Sequence, residues 1–299
     1  MSNELQVQVD GRVLRLSNVD KPLYPDGFTK GEVIDYYSRI APVMLPHLAG
    51  RPATLKRYPN GVDGKFFFEK NAPSHRPDWT RTVRLPSPGS TKNRDEIDYL
   101  VIDDLPTLVW VANLAALELH TPQWRVGPRG GQRGVDQLVF DLDPGPPATI
   151  AECCEVATLL RAALDDDGLA AYPKTSGSKG MQLCVPITET PAGRTSDYAR
   201  MLAERLAEEH GDLVVAQMSK SLRPGKVFVD WSQNNPAKTT ICVYSLRARE
   251  RPTVSTPLTW EEVERGGSIS FTASEVLDRV ERDGDLLAGA LKGRRGLPD

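Results

Sequence analysis

Short stretches of alternating or continuous apolar residues predict many β-strands along the chain. Residues 5–9 and 13–16 alternate on either side of Asp10-Gly11, a pair that favours the tight turn of a β-hairpin. Other short runs have the length and the β-branched or aromatic content typical of strands. These further predicted strands are Ala53–Tyr58, Lys65–Phe68, Gln137–Leu142, Met181–Ile187, Leu213–Ala216, Lys226–Trp231 and Thr240–Tyr244.

A threonine followed three residues later by a glutamate marks the start of three predicted helices. In such a capping box each side chain accepts a hydrogen bond from the backbone N–H of the other residue. The pairs are Thr29/Glu32, Thr149/Glu152 and Thr272/Glu275, and they predict helices over 29–48, 149–164 and 272–291. The pattern predicts two more helices near 107–119 and 196–210, and inserted loops at 86–97 and 125–136.

The order of these elements predicts an α+β fold with a mixed or antiparallel sheet. Strands and helices do not alternate with the regular βαβ rhythm of a doubly wound sheet. The chain also contains neither G-x-G-x-x-G nor G-x-x-x-x-G-K-[ST], the glycine-rich loops of the common nucleotide-binding α/β folds.

Composition excludes several classes of protein. The 299 residues are 39% hydrophobic, and no apolar run approaches the ~20 residues that span a bilayer. The first residues lack the pattern of a signal peptide, and the four cysteines show no C-x-x-C spacing. We therefore expect a cytoplasmic protein with reduced core thiols, no zinc site and no membrane contact.

The net charge of −3 conceals an uneven distribution. Residues 216–255 hold seven Lys and Arg against two acidic residues, whereas residues 151–215 hold six against eleven. A basic face on an acidic body fits a protein that grips polyanions at one place. A solvated run of charges explains the same numbers, and composition alone does not separate the two hypotheses.

Two aspartates at the end of an apolar strand form the sharpest motif. Asp141 and Asp143 follow Leu138-Val139-Phe140, and residues i and i+2 of a strand point to one face, roughly 6–7 Å apart. Mg²⁺ and Mn²⁺ accept such hard oxygen ligands. Asp230 ends a second apolar strand and would complete a two-metal cluster. The alternative is that Asp143-Pro144-Gly145 is simply a turn.

Cations, glycines and aromatics suggest a place for a phosphorylated ligand. Residues 175–180 (Thr-Ser-Gly-Ser-Lys-Gly) have the composition of a backbone anion nest, although an ordinary turn is equally consistent. His120 is interpreted as the end of an apolar helical stretch, a position where histidine is usually structural. Phe66-Phe67-Phe68 cannot all face one core, so at least one ring should be exposed and could stack on a base.

Nine motifs, taken in order from residue 18 to about 290, resemble the polymerase domain of bacterial ATP-dependent DNA ligase D, in the archaeo-eukaryotic primase superfamily. The motifs are Asp20-Lys21-Pro22-Leu23-Tyr24-Pro25, Gly50-Arg51-Pro52-Ala53-Thr54, Phe67-Phe68-Glu69-Lys70, Leu117-Glu118-Leu119-His120, Val139-Phe140-Asp141-Leu142-Asp143-Pro144, Thr175–Gly180, Lys220-Ser221-Leu222-Arg223, Val227–Asn234 and Tyr244-Ser245-Leu246-Arg247.

The resemblance implies template-dependent addition of ribo- or deoxyribonucleotides to DNA 3′ ends during gap filling and double-strand-break repair by non-homologous end joining. It implies that two divalent cations, Mn²⁺ favoured and Mg²⁺ possible, bind Asp141, Asp143 and Asp230, the catalytic residues. It implies that the NTP or dNTP contacts Lys56, Phe67, Phe68, His120, Ser176, Lys179, Arg223, Gln233 and Arg247. It implies that Asn18, Lys21 and Lys30 bind the 5′-phosphate of the downstream strand at a gap or broken end.

The resemblance also implies one catalytic module over residues 1–299, with its active site in the cleft between two sheet-bearing halves. Within it we expect a hairpin and end-binding region at 1–50, a core at about 51–255 and helices at about 256–299. Expected partners are DNA, bacterial Ku, and ligase or nuclease domains in the same or another chain. The protein is expected to be a nucleoid-associated monomer.

Gln182 departs from the family pattern, because the family usually has histidine there. This departure leaves open the contact made at that position. Two other functions also remain open: a metal-dependent glycosyltransferase that uses the D-x-D motif, and a DNA-end-binding scaffold without catalysis. The glycosyltransferase does not explain the basic segment 216–255 or the Lys21/Lys30 pair.

Overall fold

The computed structural model describes residues 4–87 and 95–298. Its strands are β1 (Glu4–Val9), β2 (Arg12–Ser17), β3 (Pro52–Arg57), β4 (Phe67–Glu69), β5 (Thr82–Pro86), β6 (Glu96–Val101), β7 (Ala116–Thr121), β8 (Trp124–Val126), β9 (Gln132–Pro144), β10 (Tyr172–Thr175), β11 (Met181–Thr190), β12 (Val214–Val215), β13 (Val227–Asp230) and β14 (Thr240–Ile241). Its α-helices are α1 (Lys30–Leu48), α2 (Leu105–Asn113), α3 (Ile150–Asp166), α4 (Ala192–Glu209), α5 (Trp260–Arg265) and α6 (Ala273–Asp283).

The described strands form a separate hairpin and two larger sheets. β1 and β2 pair as predicted, with a turn in which Asp10 and Gly11 both have positive φ. One sheet has the order β10-β11-β9-β13-β12, with β8 also on β9; the other has the order β14-β7-β3-β6-β5, with β4 on β3. Apart from the parallel pair β12/β13, the strand pairs are antiparallel, so the α+β prediction is confirmed.

Strand β9 separates the helix-covered core from the core of the other half of the molecule. Leu138, Phe140 and Leu142 are buried in a cluster with apolar residues of α3 and α4. Val139, on the opposite face, belongs to the core that fills the other half of the molecule. Because side chains alternate along a strand, Asp141 and Asp143 face the same side as Val139, away from the helix-covered core.

The capping boxes predict the starts of the helices correctly but not every end. Those at Thr29, Thr149 and Thr272 are all formed. The last helix, predicted over 272–291, ends at Asp283, because Gly284 adopts φ 70° and terminates it. A separate 3₁₀ turn covers Ala288–Leu291.

The helix predicted near 107–119 is wrong in its second half. Helix α2 ends at Asn113, and Ala115 has φ 56°, which reverses the chain. Residues 116–121 then form β7, which pairs with both β3 and β14. His120 therefore lies on a strand and not at a helix end. The apolar run is compatible with a helix or a strand, and its pairing with β3 on one edge and β14 on the other makes it a strand.

The loop predicted at 86–97 agrees with the structure at its described ends, because β5 ends at Pro86 and β6 begins at Glu96, whereas most of the loop predicted at 125–136 is strand. Residues 82–86 and 96–101 pair as β5 and β6, while residues 88–94 lie outside the described residues. The second stretch forms β8 and the start of β9, joined by a turn at 127–131. The exposed polar start of β9, at Gln132 and Arg133, hides the alternation that predicts a strand. Within the described part of the chain, no helix is both long and apolar enough to cross a membrane.

Candidate active site

Three aspartates occupy one face of two neighbouring strands. Asp141 of β9 lies directly opposite Asp230 of β13, and Asp143 lies two residues further along β9, opposite Phe228. Directly opposed residues of an antiparallel pair have Cα atoms roughly 4.5–5.5 Å apart and side chains on the same face. The sheet therefore brings together the three carboxylates that the sequence analysis selected.

The electrostatics of these carboxylates fit a cation-binding role. Burial and the neighbouring Asp143 raise the pKa of Asp141 to about 7. Burial and Asp230 raise the pKa of Asp143, against the opposing effect of Arg223 and Arg247. Like charges held this close are relieved when a hard divalent cation binds between them. An all-oxygen donor set is the one that Mg²⁺ and Mn²⁺ select.

The carboxylates are engaged with protein donors as they stand. Asp230 Oδ1 accepts hydrogen bonds from the Ser232 backbone N–H and hydroxyl, and its Oδ2 accepts from Gln233 Nε2 at 2.8 Å. Among residues 4–87 and 95–298, no three acidic, histidine or cysteine side chains already enclose a metal-sized space. The strand register thus places the three carboxylates together, and an ion bound by Asp230 would have to replace its present protein donors.

Gln182 keeps a defined contact with the acidic cluster. It lies opposite Asp141 on the other neighbouring strand, β11, and its Nε2 donates to Asp141 Oδ1 at 3.0 Å. The buried ammonium of Lys174 donates to Gln182 Oε1 at 2.6 Å and to Ser255 Oγ at 2.7 Å. Because an ammonium group only donates, it forces the amide oxygen toward Lys174 and the NH₂ group toward Asp141.

If Asp141 binds a metal ion and the chain adds nucleotides, as the resemblance implies, replacing Lys174 with methionine is expected to slow nucleotide addition about tenfold, the usual cost of losing an outer partner of a metal ligand. The Gln182 amide would then be free to turn its oxygen toward Asp141, and buried polar atoms would lose a donor. Steady-state primer extension and thermal unfolding measure the two effects. Lys226→Met, at a half-buried lysine that bonds the Gly211 carbonyl, is the control. Unchanged extension by Lys174→Met would contradict this role.

A group of cations and aromatic rings on β3, β4 and β7 is linked to the acidic cluster through Arg247, which pairs with Glu118 and lowers the pKa of Asp143. Lys56 on β3 lies 4.4 Å from the Phe66 ring centre and 5.6 Å from that of Phe68. The Phe68 ring packs edge-on against His120, with centroids 6.1 Å apart. Phe66, Phe67 and Phe68 are 51%, 43% and 56% exposed, so the expectation of at least one exposed ring is exceeded.

The turn at 175–180 joins this group through Arg247, whose Nη1 donates to the Ser176 carbonyl at 2.9 Å. Gly177 is required there, because it has φ 67° and a Cβ would lie 2.6 Å from the Val254 backbone. The amides of Ser178 and Gly180 already donate to Ser176 Oγ at 3.3 Å, long bonds that an anion could replace. Lys179 is the exposed residue of the turn.

Arg223 reaches the site from the other side. Its guanidinium lies 3.8 Å from the Phe228 ring centre, opposite Asp143 in the strand register. Gly145 permits this approach, because a Cβ at residue 145 would lie 2.0 Å from the Arg223 carbonyl oxygen. Arg223 is thus held against the end of β9, beside the carboxylates.

A second, basic cavity of about 580 Å³ lies beside the hairpin and brings together Asn18, Lys21 and Lys30. Lys21 Nζ donates to the Pro59 carbonyl at 2.7 Å, and Lys30 Nζ donates to the Ser17 carbonyl at 2.5 Å. Burial, together with the charges of Lys21 and Arg57, lowers the pKa of Lys30 to about 8. Cations forced together in a cavity favour a dianion such as a terminal phosphate.

The sequence analysis missed Glu118, Lys174 and Arg57, all of which touch or line these sites. Glu118 bonds His120, Lys174 bonds Gln182, and Arg57 lines the basic cavity. Glu118 and His120 share one face of a strand, a signal available only once residues 116–121 are recognised as β7.

Comparison with known proteins gives consistent results. Residues 29–287 match the family described as LigD, primase-polymerase domain. The chain is 49% identical over 277 residues to the multifunctional non-homologous end joining protein LigD of Mycolicibacterium smegmatis, covering 92% of this chain but only 36% of that protein. It is 31% identical over 275 residues to the bifunctional LigD of Bacillus subtilis, covering 91% and 43% of the two chains. It also resembles the solved polymerase domain of Mycobacterium tuberculosis ligase D in complex with DNA, with TM-score 0.88, 44% identity, and coverage of 93% and 98%.

Proposed function

This chain belongs to the LigD primase-polymerase family, and we propose that it adds ribo- or deoxyribonucleotides to DNA 3′ ends under the direction of a template, during gap filling and non-homologous end joining. The observation that carries the proposal is the set of three carboxylates on one sheet face, bordered by Arg223 and Arg247. A nucleotidyltransferase needs this combination, because the reacting triphosphate is an anion that binds through metals and cations.

Asp141, Asp143 and Asp230 are the proposed ligands of two divalent cations, Mn²⁺ in preference to Mg²⁺. When bound, such ions lower the pKa of an attacking hydroxyl and neutralise the leaving phosphates. The chain's own contribution is to hold the three carboxylates in register and to orient Asp141 through Gln182.

The residues around the carboxylates would hold the incoming nucleotide. Phe67 and Phe68 are exposed rings available for stacking on the base or the template. The triphosphate and sugar would contact Lys56, His120, Ser176, Lys179, Arg223, Gln233 and Arg247. Asn18, Lys21 and Lys30 would bind the 5′-phosphate of the downstream strand, a role that supports gapped or broken ends as the substrate.

The proposal extends to the organisation of the protein. We propose that residues 1–299 act as one catalytic module and as a monomer, in the cytoplasm at the nucleoid. The chain spans 36% of the length of its Mycolicibacterium relative. Its proposed partners are bacterial Ku and ligase or nuclease domains, in the same or another chain. Membership of this family disfavours the glycosyltransferase hypothesis, and the three intact aspartates disfavour the scaffold.

Primer extension on a gapped duplex tests the proposal. The assay compares Mn²⁺ with Mg²⁺, ribonucleotides with deoxyribonucleotides, and substrates with and without the downstream 5′-phosphate. Templated addition that is faster with Mn²⁺ and with the phosphate is expected. Tight DNA binding without addition in either metal would favour the scaffold instead.

A further inference from the structure

Glu118 is a buried carboxylate in the middle of the proposed triphosphate-binding cations. Its side chain is 2% exposed, and its Oε1 lies 3.5 Å from both Lys56 Nζ and Arg247 Nε. Its Oε2 lies 3.0 Å from His120 Nε2. The backbone N–H of Ala248 donates to Oε1 at 3.2 Å, which fixes the carboxylate from a fourth direction.

The three partners come from three separate segments of the fold. Lys56 is the cross-strand neighbour of Glu118 on β3, His120 lies two residues along β7, and Arg247 follows the turn after β14. Cations gathered in a half-buried site repel one another, and an anion between them removes that repulsion. His120, Arg247 and Lys56 outweigh the effect of burial and hold the pKa of Glu118 at about 2, so it stays ionised.

We propose that Glu118 is a positioning residue for the incoming nucleoside triphosphate, holding Lys56, His120 and Arg247 at their separations before the nucleotide arrives. This inference rests on the proposed function. Glu118 does not itself bind phosphate, because it is an anion enclosed by the cations. Glu118 also helps to position the aromatic rings proposed to stack on the nucleotide base, because its partner Lys56 packs on the Phe66 and Phe68 rings. A pre-assembled set of donors binds a triphosphate without first having to be ordered.

The test replaces Glu118 with glutamine, which keeps the shape and removes the charge. The affinity for a non-hydrolysable ribonucleoside triphosphate analogue with Mn²⁺ is measured calorimetrically without DNA, and KM and kcat are measured by primer extension. We expect Kd and KM to rise about tenfold or more, and kcat to fall less than threefold. Glu118→Asp keeps the charge on a shorter stem and is expected to recover part of the affinity.

Glu262→Gln is the matched control, because Glu262 is a part-buried carboxylate paired with Arg279 at 2.7 Å in the C-terminal region. It is expected to leave Kd and KM within twofold of wild type. The protein has four histidines, so NMR titration can follow His120 individually. Burial already lowers the pKa of His120 and the bond to Glu118 opposes that shift, so the pKa should fall further in Glu118→Gln.

The outcomes separate the inference from the proposed function. Wild-type protein that neither binds nor adds nucleotides would overturn the proposed function. If the wild-type protein binds and adds nucleotides, and the Glu118→Gln variant folds with an unchanged Kd and KM, only the inference about Glu118 is overturned. If Glu118→Gln does not fold, the Glu118→Asp variant is measured instead. A Kd and a His120 pKa equal to those of the wild-type protein would overturn the inference, and a higher Kd would support it.

Discussion

Asp141→Asn is expected to reduce nucleotide addition by roughly 10³-fold or more while making the metal-free protein more stable. The amide keeps the size of the carboxylate but loses the charge that a divalent cation requires. It also removes the repulsion with Asp143 and Asp230 that accompanies burial and raises the pKa of Asp141 to about 7. Loss of activity with gain of stability is the pattern of a site selected for chemistry.

The same repulsion predicts a pH dependence of stability. Because the folded-state pKa of Asp141 lies above its ordinary value, folding disfavours the ionised form, and stability should rise as pH falls from 8 toward 5. Thermal unfolding in EDTA should show this rise in wild-type protein and a smaller one in Asp141→Asn. At pH 8, Mn²⁺ should raise the Tm of wild-type protein and have little effect on the variant.

Asp165→Asn serves as the control, because Asp165 is an exposed aspartate on α3. It should match wild-type protein in extension rate and in its response to Mn²⁺. Nucleotide addition by Asp141→Asn at a rate within tenfold of wild type would exclude Asp141 as a metal ligand. A variant less stable than wild type at pH 8 would show that the carboxylates do not repel one another in the fold.

Lys30→Met is expected to abolish the stimulation of primer extension by a downstream 5′-phosphate. The ratio of the extension rate with the phosphate to the rate without it should fall from roughly 10–100 in the wild-type protein to about one in the variant. Lys30 is 6% exposed in the basic cavity, so no solvent cation can easily replace it. Extension rates on gapped duplexes with and without the phosphate give the ratio directly. Lys292→Met, at an exposed lysine near the C-terminal end, should retain the full ratio.

The pKa of Lys30 gives this prediction a pH profile. Its pKa is lowered to about 8, so the charged form that binds phosphate is lost as pH rises through that value. The bound phosphate stabilises the ammonium, so half-loss of stimulation should occur somewhat above pH 8. A stimulation ratio constant from pH 7 to pH 9.5 would assign phosphate recognition to other residues.

The sequence predicted the features that depend on local order along one element. Asp141, Asp143 and Asp230 each follow or end an apolar strand, and the period of two residues places the first pair on one face without knowledge of the fold. The helix starts follow equally from local chemistry, because a capping box is complete within four residues.

Features that depend on pairing between distant strands could not be predicted in this way. The contact between Lys174 and Gln182 depends on the register of β10 with β11, and that between Lys56 and Glu118 on the register of β3 with β7. The sequence pattern places His120 on a helix, because a continuous apolar run shows neither the period of a helix nor that of a strand. Only its two strand neighbours decide the conformation.

The cross-strand pairing of Asp141 with Asp230 also restricts where residues can be inserted or deleted in this family. Val227 and Val229 pack into the helix-covered core, and this packing turns Asp230 to the opposite face of the sheet, beside Asp141. Inserting or deleting one residue within β13 would place the carboxylate in the core and the valines on the face that carries Asp141 and Asp143. The 82 residues that separate β9 from β13 can vary in length at their loops, whereas these four positions cannot. Selection for a well-packed core therefore also preserves the chemistry, and a protein engineer who grafts this site elsewhere must transfer the strand pair as one unit.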